Sequence, residues 1–141
     1  MIGHYIHQGG QVGVIVEVNC ESDFVARTDD FQTLVKEIAM HIAAADPTCV
    51  RREEFPDDEL EREQAIYRKQ FEDSDKPPQV IEKIIEGKIN SFYEQVVLLD
   101  QPSIRDPKST IGNLVTAAVA KLGENISIAR FARFKVGDTQ E

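Results

Sequence analysis

The sequence predicts an α+β fold: a small three-stranded antiparallel sheet, helices packed on one side of it, and a projecting helical hairpin. Three observations lead there. Val12, Val14, Val16 and Val18 alternate with Gly13, Ile15, Glu17 and Asn19, the period-two pattern of a strand with one buried face. From Phe31 to Ala43 the apolar residues fall at steps of three and one, the stripe of an amphipathic helix. An apolar strand pattern returns only near the C-terminal end. Hairpin, helices, then one late strand is an order that gathers the helices on one face of the sheet. At 141 residues the chain has the size of a single domain, and 1–141 is read as one unit.

The elements follow in order. Strands are expected at about 2–7 and 12–20, joined through Gly9-Gly10, which supply the positive φ angles of a tight hairpin turn. The next helix carries Phe31, Leu34, Val35, Ile38, Ala39, Ile42 and Ala43. Asp29, with Gln32 three residues on, fits a capping box, and Asp46-Pro47 ends the helix because proline disfavours helical geometry in the residue before it. From Asp57 to Glu72 the chain is highly charged, and only Leu60, Ile66, Tyr67 and Phe71 offer much apolar surface. Such a narrow stripe suits a helix that packs against one neighbour. Lys76-Pro77-Pro78 separates it from a second helix bearing Val80, Ile81, Ile84, Ile85, Ile89, Phe92, Tyr93, Val96 and Val97. These arms form a hairpin over about 57–87, with a break or bend expected at Gly87. Thr110 caps a last helix with Ile111, Leu114, Val115, Ala118, Val119 and Leu122 on one face, and Gly123 sits where a left-handed terminating residue belongs. The final strand carries Ile126, Ile128, Phe131, Phe134 and Val136. Alternation fails between 128 and 134, so a bulge, or a strand covered on both faces, is expected there.

Charge narrows the function. Twenty-five acidic against sixteen basic residues give a net charge of −9. That argues against direct nucleic-acid binding, which needs a basic surface. The longest apolar runs are four residues, such as Val96 to Leu99. A bilayer span needs about twenty, so no membrane partner is expected. Met1-Ile2-Gly3-His4 lacks the basic start and apolar stretch of a signal peptide. Two cysteines, Cys20 and Cys49, cannot build a disulfide framework; a reducing compartment is the simpler reading, and a single bond between them, or an intermolecular one, stays open.

Enzyme readings fare poorly. Cys20, Glu21, Asp23 and His41 form no local catalytic signature, Cys20 continues the valine face, and His41 falls beside the apolar helical stripe. His4 and His7 are three apart in a strand and face opposite sides, so no shared metal is expected. The acidic run Asp57, Asp58, Glu59, Glu61, Glu63 lacks the alternation and glycine of a calcium loop. No phosphate-binding glycine motif occurs, so the chain itself is not expected to hold a nucleotide, and no cofactor is expected. One segment stands out: Cys20-Glu21-Ser22-Asp23-Phe24-Val25-Ala26-Arg27 places a large aromatic beside a carboxylate in a connection. By physical reasoning alone, Phe24 tucks into the core and Asp23 caps a turn. An exposed Phe24 would instead suit a binding anchor.

The stretch Gly13-Val14-Ile15-Val16-Glu17-Val18-Asn19-Cys20-Glu21-Ser22-Asp23-Phe24-Val25-Ala26-Arg27 is similar to the signature of the elongation factor Ts family, which commonly has Thr at the place of Ser22. Three further blocks agree, in the family's order: Ile38-Ala39-Met40-His41-Ile42-Ala43-Ala44, Ile84-Ile85-Glu86-Gly87-Lys88 and Lys121-Leu122-Gly123-Glu124-Asn125-Ile126. The family usually opens with a small helical domain, and this chain resembles the core that follows it. The resemblance implies a non-enzymatic factor that binds elongation factor Tu carrying GDP and accelerates GDP release, in the bacterial cytoplasm or an organelle of bacterial descent. It implies that Asp23 and Phe24, flanked by Ser22 and Val25, contact the partner's GTPase domain. There the ring enters a pocket and disturbs the magnesium site. It also assigns partner contacts to Leu122-Gly123 and to His7, makes the 57–87 hairpin a further contact, and implies a homodimer, as in the family's shorter members.

Overall fold

The structure, a computed structural model, describes residues 1–138. Gly9 and Gly10 take φ of 96° and 72° and turn the chain between β1 (Ile2–Ile6) and β2 (Val12–Asn19). The third strand, β3 (Ser127–Lys135), pairs with the other edge of β2, so the antiparallel order is β1-β2-β3. Val14, Val16 and Val18 are buried on one face. Val18 pairs with Ile128 and Glu17 with Arg130, leaving Ala129 as the extra residue of a bulge. That shift brings Ile128 and Phe131 onto the same buried side. Arg133 follows on that side and donates from Nη2 to the Ala43 carbonyl at 3.0 Å. The bulge and this inward arginine explain why alternation fails in the sequence.

The helix laid over that face is α2 (Asp29–Ala45), which buries Phe31, Leu34, Val35, Ile38, Ala39 and Ile42 as the spacing predicts. It crosses β1 closely: a Cβ on Gly3 would lie 2.2 Å from Val35 Cγ1. The capping box expected at Asp29 and Gln32 does not form. Thr28 is the cap, and its Oγ1 accepts from the Phe31 amide at 3.2 Å, because the chain enters the helix one residue earlier than the pattern implied. Asp46 ends α2 in the left-handed region at φ 48°, just before Pro47.

Helix α3 (Asp57–Gln70) buries no residue and packs on α4 (Pro78–Val96). Arg68 pairs with Glu82 across the two, and Lys88 lies over the Tyr67 ring. The break expected at Gly87 is absent. α4 is one helix of 19 residues, and a Cβ at Gly87 would meet nothing within 4 Å. The intrinsic helical cost of one glycine, about 1 kcal/mol, is too small to interrupt a helix anchored by Ile85 and Ile89. α5 (Ile111–Leu122) starts at Thr110, whose Oγ1 accepts from Asn113 at 3.1 Å, and ends at Gly123 with φ 74°, both as read from sequence. Cys20 and Cys49 are both free, so the bond between them that the sequence leaves open does not form.

Candidate functional site

β2 runs out of the sheet at Asn19 and the chain turns into the one-turn helix α1 (Asp23–Ala26). Ser22 is its cap: the backbone is extended and Oγ accepts from the Val25 amide at 3.3 Å. At the other end Thr28 Oγ1 donates to the Val25 carbonyl at 2.7 Å while it caps α2. Bracketed in this way, neighbouring side chains point about 100° apart around the helix axis. Val25 goes inward and is buried. Phe24 goes outward and is 76% exposed, the largest exposure among the large hydrophobic residues of the described chain. The expectation that Phe24 tucks into the core is therefore wrong, because Val25 occupies the inward position. Asp23 does not cap either; its carboxylate pairs with Arg27 Nη2 at 2.7 Å in a solvent-exposed bond.

The second element is the end of α5. Leu122 is half-buried against the core and Gly123 is exposed. The next residue, Glu124, reaches the α1 turn. Oε1 accepts from the amides of Ser22 at 3.0 Å and Glu21 at 3.2 Å, and Oε2 accepts from Ser22 Oγ at 2.5 Å. Nearby, Lys121 pairs with Asp30 at 3.1 Å. Ser22, Asp23, Phe24, Val25, Leu122 and Gly123 thus lie on one end of the molecule. His7 does not join them. It sits at the hairpin end, where its amide donates to the Val12 carbonyl, and its Nδ1 lies 2.9 Å from the Tyr5 hydroxyl. The strand from Val12 to Asn19 separates it from Ser22 by about 20–25 Å, at roughly 3.3 Å per residue. Glu124 escaped the sequence reading as a link, since nothing in local spacing connects residues 102 apart.

The chain matches the family model described as Elongation factor TS over residues 1–138. It belongs to the elongation factor Ts family. Among its relatives is the elongation factor Ts of Solibacter usitatus (strain Ellin6076), 57% identical over 140 residues, which are 99% of this chain and 66% of that protein. That of Geotalea uraniireducens (strain Rf4) is 54% identical over 138 residues, 98% of this chain and 64% of the relative. That of Koribacter versatilis (strain Ellin345) is 57% identical over 137 residues, 97% and 63% respectively. The chain spans about two thirds of the length of these elongation factor Ts relatives. The family is one of translation elongation, and the Ser22–Val25 turn and the Leu122-Gly123 end lie within the matched core.

The other reactive side chains are occupied elsewhere in the fold. His41 is buried: Nε2 bonds to Gln101 Oε1 at 2.8 Å, and Nδ1 accepts from the Ile104 amide at 3.3 Å. Accepting at Nδ1 leaves the proton on Nε2, so the ring is neutral. Burial lowers its pKa from the ordinary histidine value, with the Gln101 bond opposing in part. Cys20 donates to the Ser22 carbonyl. Burial, followed by the charges of Glu54, Asp100 and Glu53, raises the Cys49 thiol to about 11, which leaves little reactive thiolate at neutral pH. Among the described residues no group of three or more His, Cys, Asp or Glu is arranged to hold a metal ion, and no helix is long and apolar enough to cross a membrane.

Proposed function

We propose that this chain is a guanine-nucleotide exchange factor: it binds elongation factor Tu carrying GDP and promotes GDP release, in translation elongation in the bacterial cytoplasm. The observation that carries the reading is the outward Phe24 ring, 76% exposed on a doubly capped turn. A large exposed aromatic on rigid backbone suits insertion into a pocket of a second protein. In this reading the ring enters the partner's GTPase domain and disturbs the magnesium and phosphate site, with Ser22, Asp23 and Val25 shaping the segment. The factor transforms no substrate. It changes an affinity, and by reciprocity GDP weakens its own binding by the same factor. A 10⁴-fold shift takes about 5.5 kcal/mol of differential affinity, and burying one phenylalanine supplies about 1.5–3 kcal/mol. Leu122 and Gly123 beside the turn, His7 at the far end of β2, and the 57–87 hairpin as a projecting arm therefore share the interface.

The sheet supports the homodimer. Its uncovered face aligns Ile2, Glu17 and Arg130, then His4, Ile15 and Ala132, then Ile6, Gly13 and Phe134. Ile2, Ile6, Ile15 and Phe134 are each more than half exposed there. A second copy laid face to face covers this surface as the other face is covered by α2.

The experiment is release of a fluorescent GDP analogue from bacterial elongation factor Tu as the chain is titrated in. Acceleration by catalytic amounts is expected. Binding without acceleration would make the chain a partner-binding module instead. Sedimentation of Ile15→Lys against the unmodified chain tests the dimer: the change should yield monomer, and an unaltered mass would remove the sheet face from the assembly.

A further inference from the structure

The carboxylate of Glu124 takes three hydrogen bonds from one short stretch of a segment 102 residues earlier in the chain. Two come from backbone amides at the point where β2 has left the sheet and has no strand partner for them. Accepting amides with an ionised carboxylate gives bonds stronger than neutral ones. The third comes from Ser22 Oγ, which at the same time accepts from the Val25 amide. A continuous path of bonds therefore runs from Glu124 through Ser22 to the backbone beside Phe24. Its fixed end is well anchored. Glu124 follows the Gly123 terminus of α5, and Ile126 beyond it is buried in the core. The supported end has little else: α1 is four residues long, and a helix that short has no stability of its own.

We infer that Glu124 is a positioning residue for exchange, locking the Phe24 turn to the end of α5 so that both segments meet the partner already ordered. The inference rests on the exchange reading above and adds to it a residue that need not touch the partner. Without the carboxylate, the turn would have to be ordered at the moment of docking, which weakens productive association.

The test compares Glu124→Ala, Glu124→Gln and Phe24→Ala, and the double variant Phe24→Ala with Glu124→Ala. It uses fluorescent-GDP release from elongation factor Tu and amide hydrogen exchange of the factor. Glu124→Ala should lower kcat/KM for release about tenfold, equal to about 1.4 kcal/mol. Most of this should be a higher half-saturating concentration rather than a lower maximal rate. Amide exchange should quicken over residues 21–26 and not across the sheet. Glu124→Gln keeps a carbonyl oxygen for the two amides and should restore most of the rate. In the Phe24→Ala background Glu124→Ala should cost less than about twofold, because the ring it positions is gone. Wild-type release by Glu124→Ala with a loosened turn would overturn the inference, as would an equal loss in both backgrounds. Wild-type release by Phe24→Ala would instead overturn the exchange reading beneath it, and the two failures are separated by which single variant keeps its activity. If Glu124→Ala does not fold, Glu124→Asp, one methylene too short to reach both amides, carries the same comparison: a lowered rate with a loosened turn and an unchanged melting temperature supports the inference, and a wild-type rate with a loosened turn overturns it.

Discussion

Phe24→Ala separates docking from folding more cleanly than any other single change. A phenylalanine offers about 200 Å² to solvent. With 76% of it exposed in the free chain, about 150 Å² is left for a partner to cover. At about 25 cal/mol per Å² that area gives an upper value near 4 kcal/mol; side-chain ordering and incomplete coverage bring the expected loss to about 2 kcal/mol. That is roughly a thirtyfold fall in kcat/KM for GDP release. The fold should not notice. Exposed substitutions stay within about 0.5 kcal/mol, and for a chain of this size that moves the melting temperature by no more than about 2 °C. Stopped-flow release of fluorescent GDP gives the first number and thermal unfolding the second. Release at the unmodified rate would refute the argument. So would a fall in melting temperature of more than about 5 °C, since it would mean that the ring supports its own fold.

Three further predictions follow, from the interior, from the helical pair and from the first strand. His41 is neutral in the folded chain with its pKa lowered, while the unfolded chain binds a proton near pH 6.5. Above that pH neither state is protonated and stability is full. As pH falls through and below 6.5 the unfolded state takes up the proton first, so stability drops, by at most about 1.4 kcal/mol per pH unit, until the folded pKa is reached. Urea unfolding between pH 7.5 and 5 should show this slope, and His41→Asn should flatten it; an unaltered slope would assign the effect to other groups. Gly87→Ala should stabilise by about 1 kcal/mol, since the added methyl meets open space in a continuous helix. Gly3→Ala should destabilise by about 1–3 kcal/mol through its clash with Val35. Thermal unfolding of the pair checks both signs, and a loss of stability in Gly87→Ala would mean that α4 is not continuous there.

The parts legible in the sequence were those with a repeated period. Four alternating valines gave β2 its buried face, and the stripe from Phe31 to Ile42 gave α2 its own. Thr110 and Gly123 marked the ends of α5 because cap and left-handed terminus both have residue preferences. The errors have local causes. Thr28 and Asp29 are adjacent residues that can both cap, and only the starting point of the helix decides between them. Gly87 reads as a break on propensity, yet tertiary anchoring at Ile85 and Ile89 outweighs it. At the candidate site, a single helical turn has no period from which to tell whether Phe24 or Val25 faces inward. The answer is fixed by Ser22, Thr28 and Glu124, the last from the far end of the chain. The elongation factor Ts signature drew attention to this segment, while the packing rule applied to Phe24 alone pointed the ring the wrong way.

The most direct measurement replaces Phe24 with a photo-reactive benzoylphenylalanine and irradiates the chain with elongation factor Tu·GDP. The account predicts a crosslink within the GTPase domain that fades as GDP and magnesium are raised, because nucleotide and factor weaken each other. A complex that forms but crosslinks elsewhere, or whose GTPase-domain crosslink ignores GDP, would contradict it.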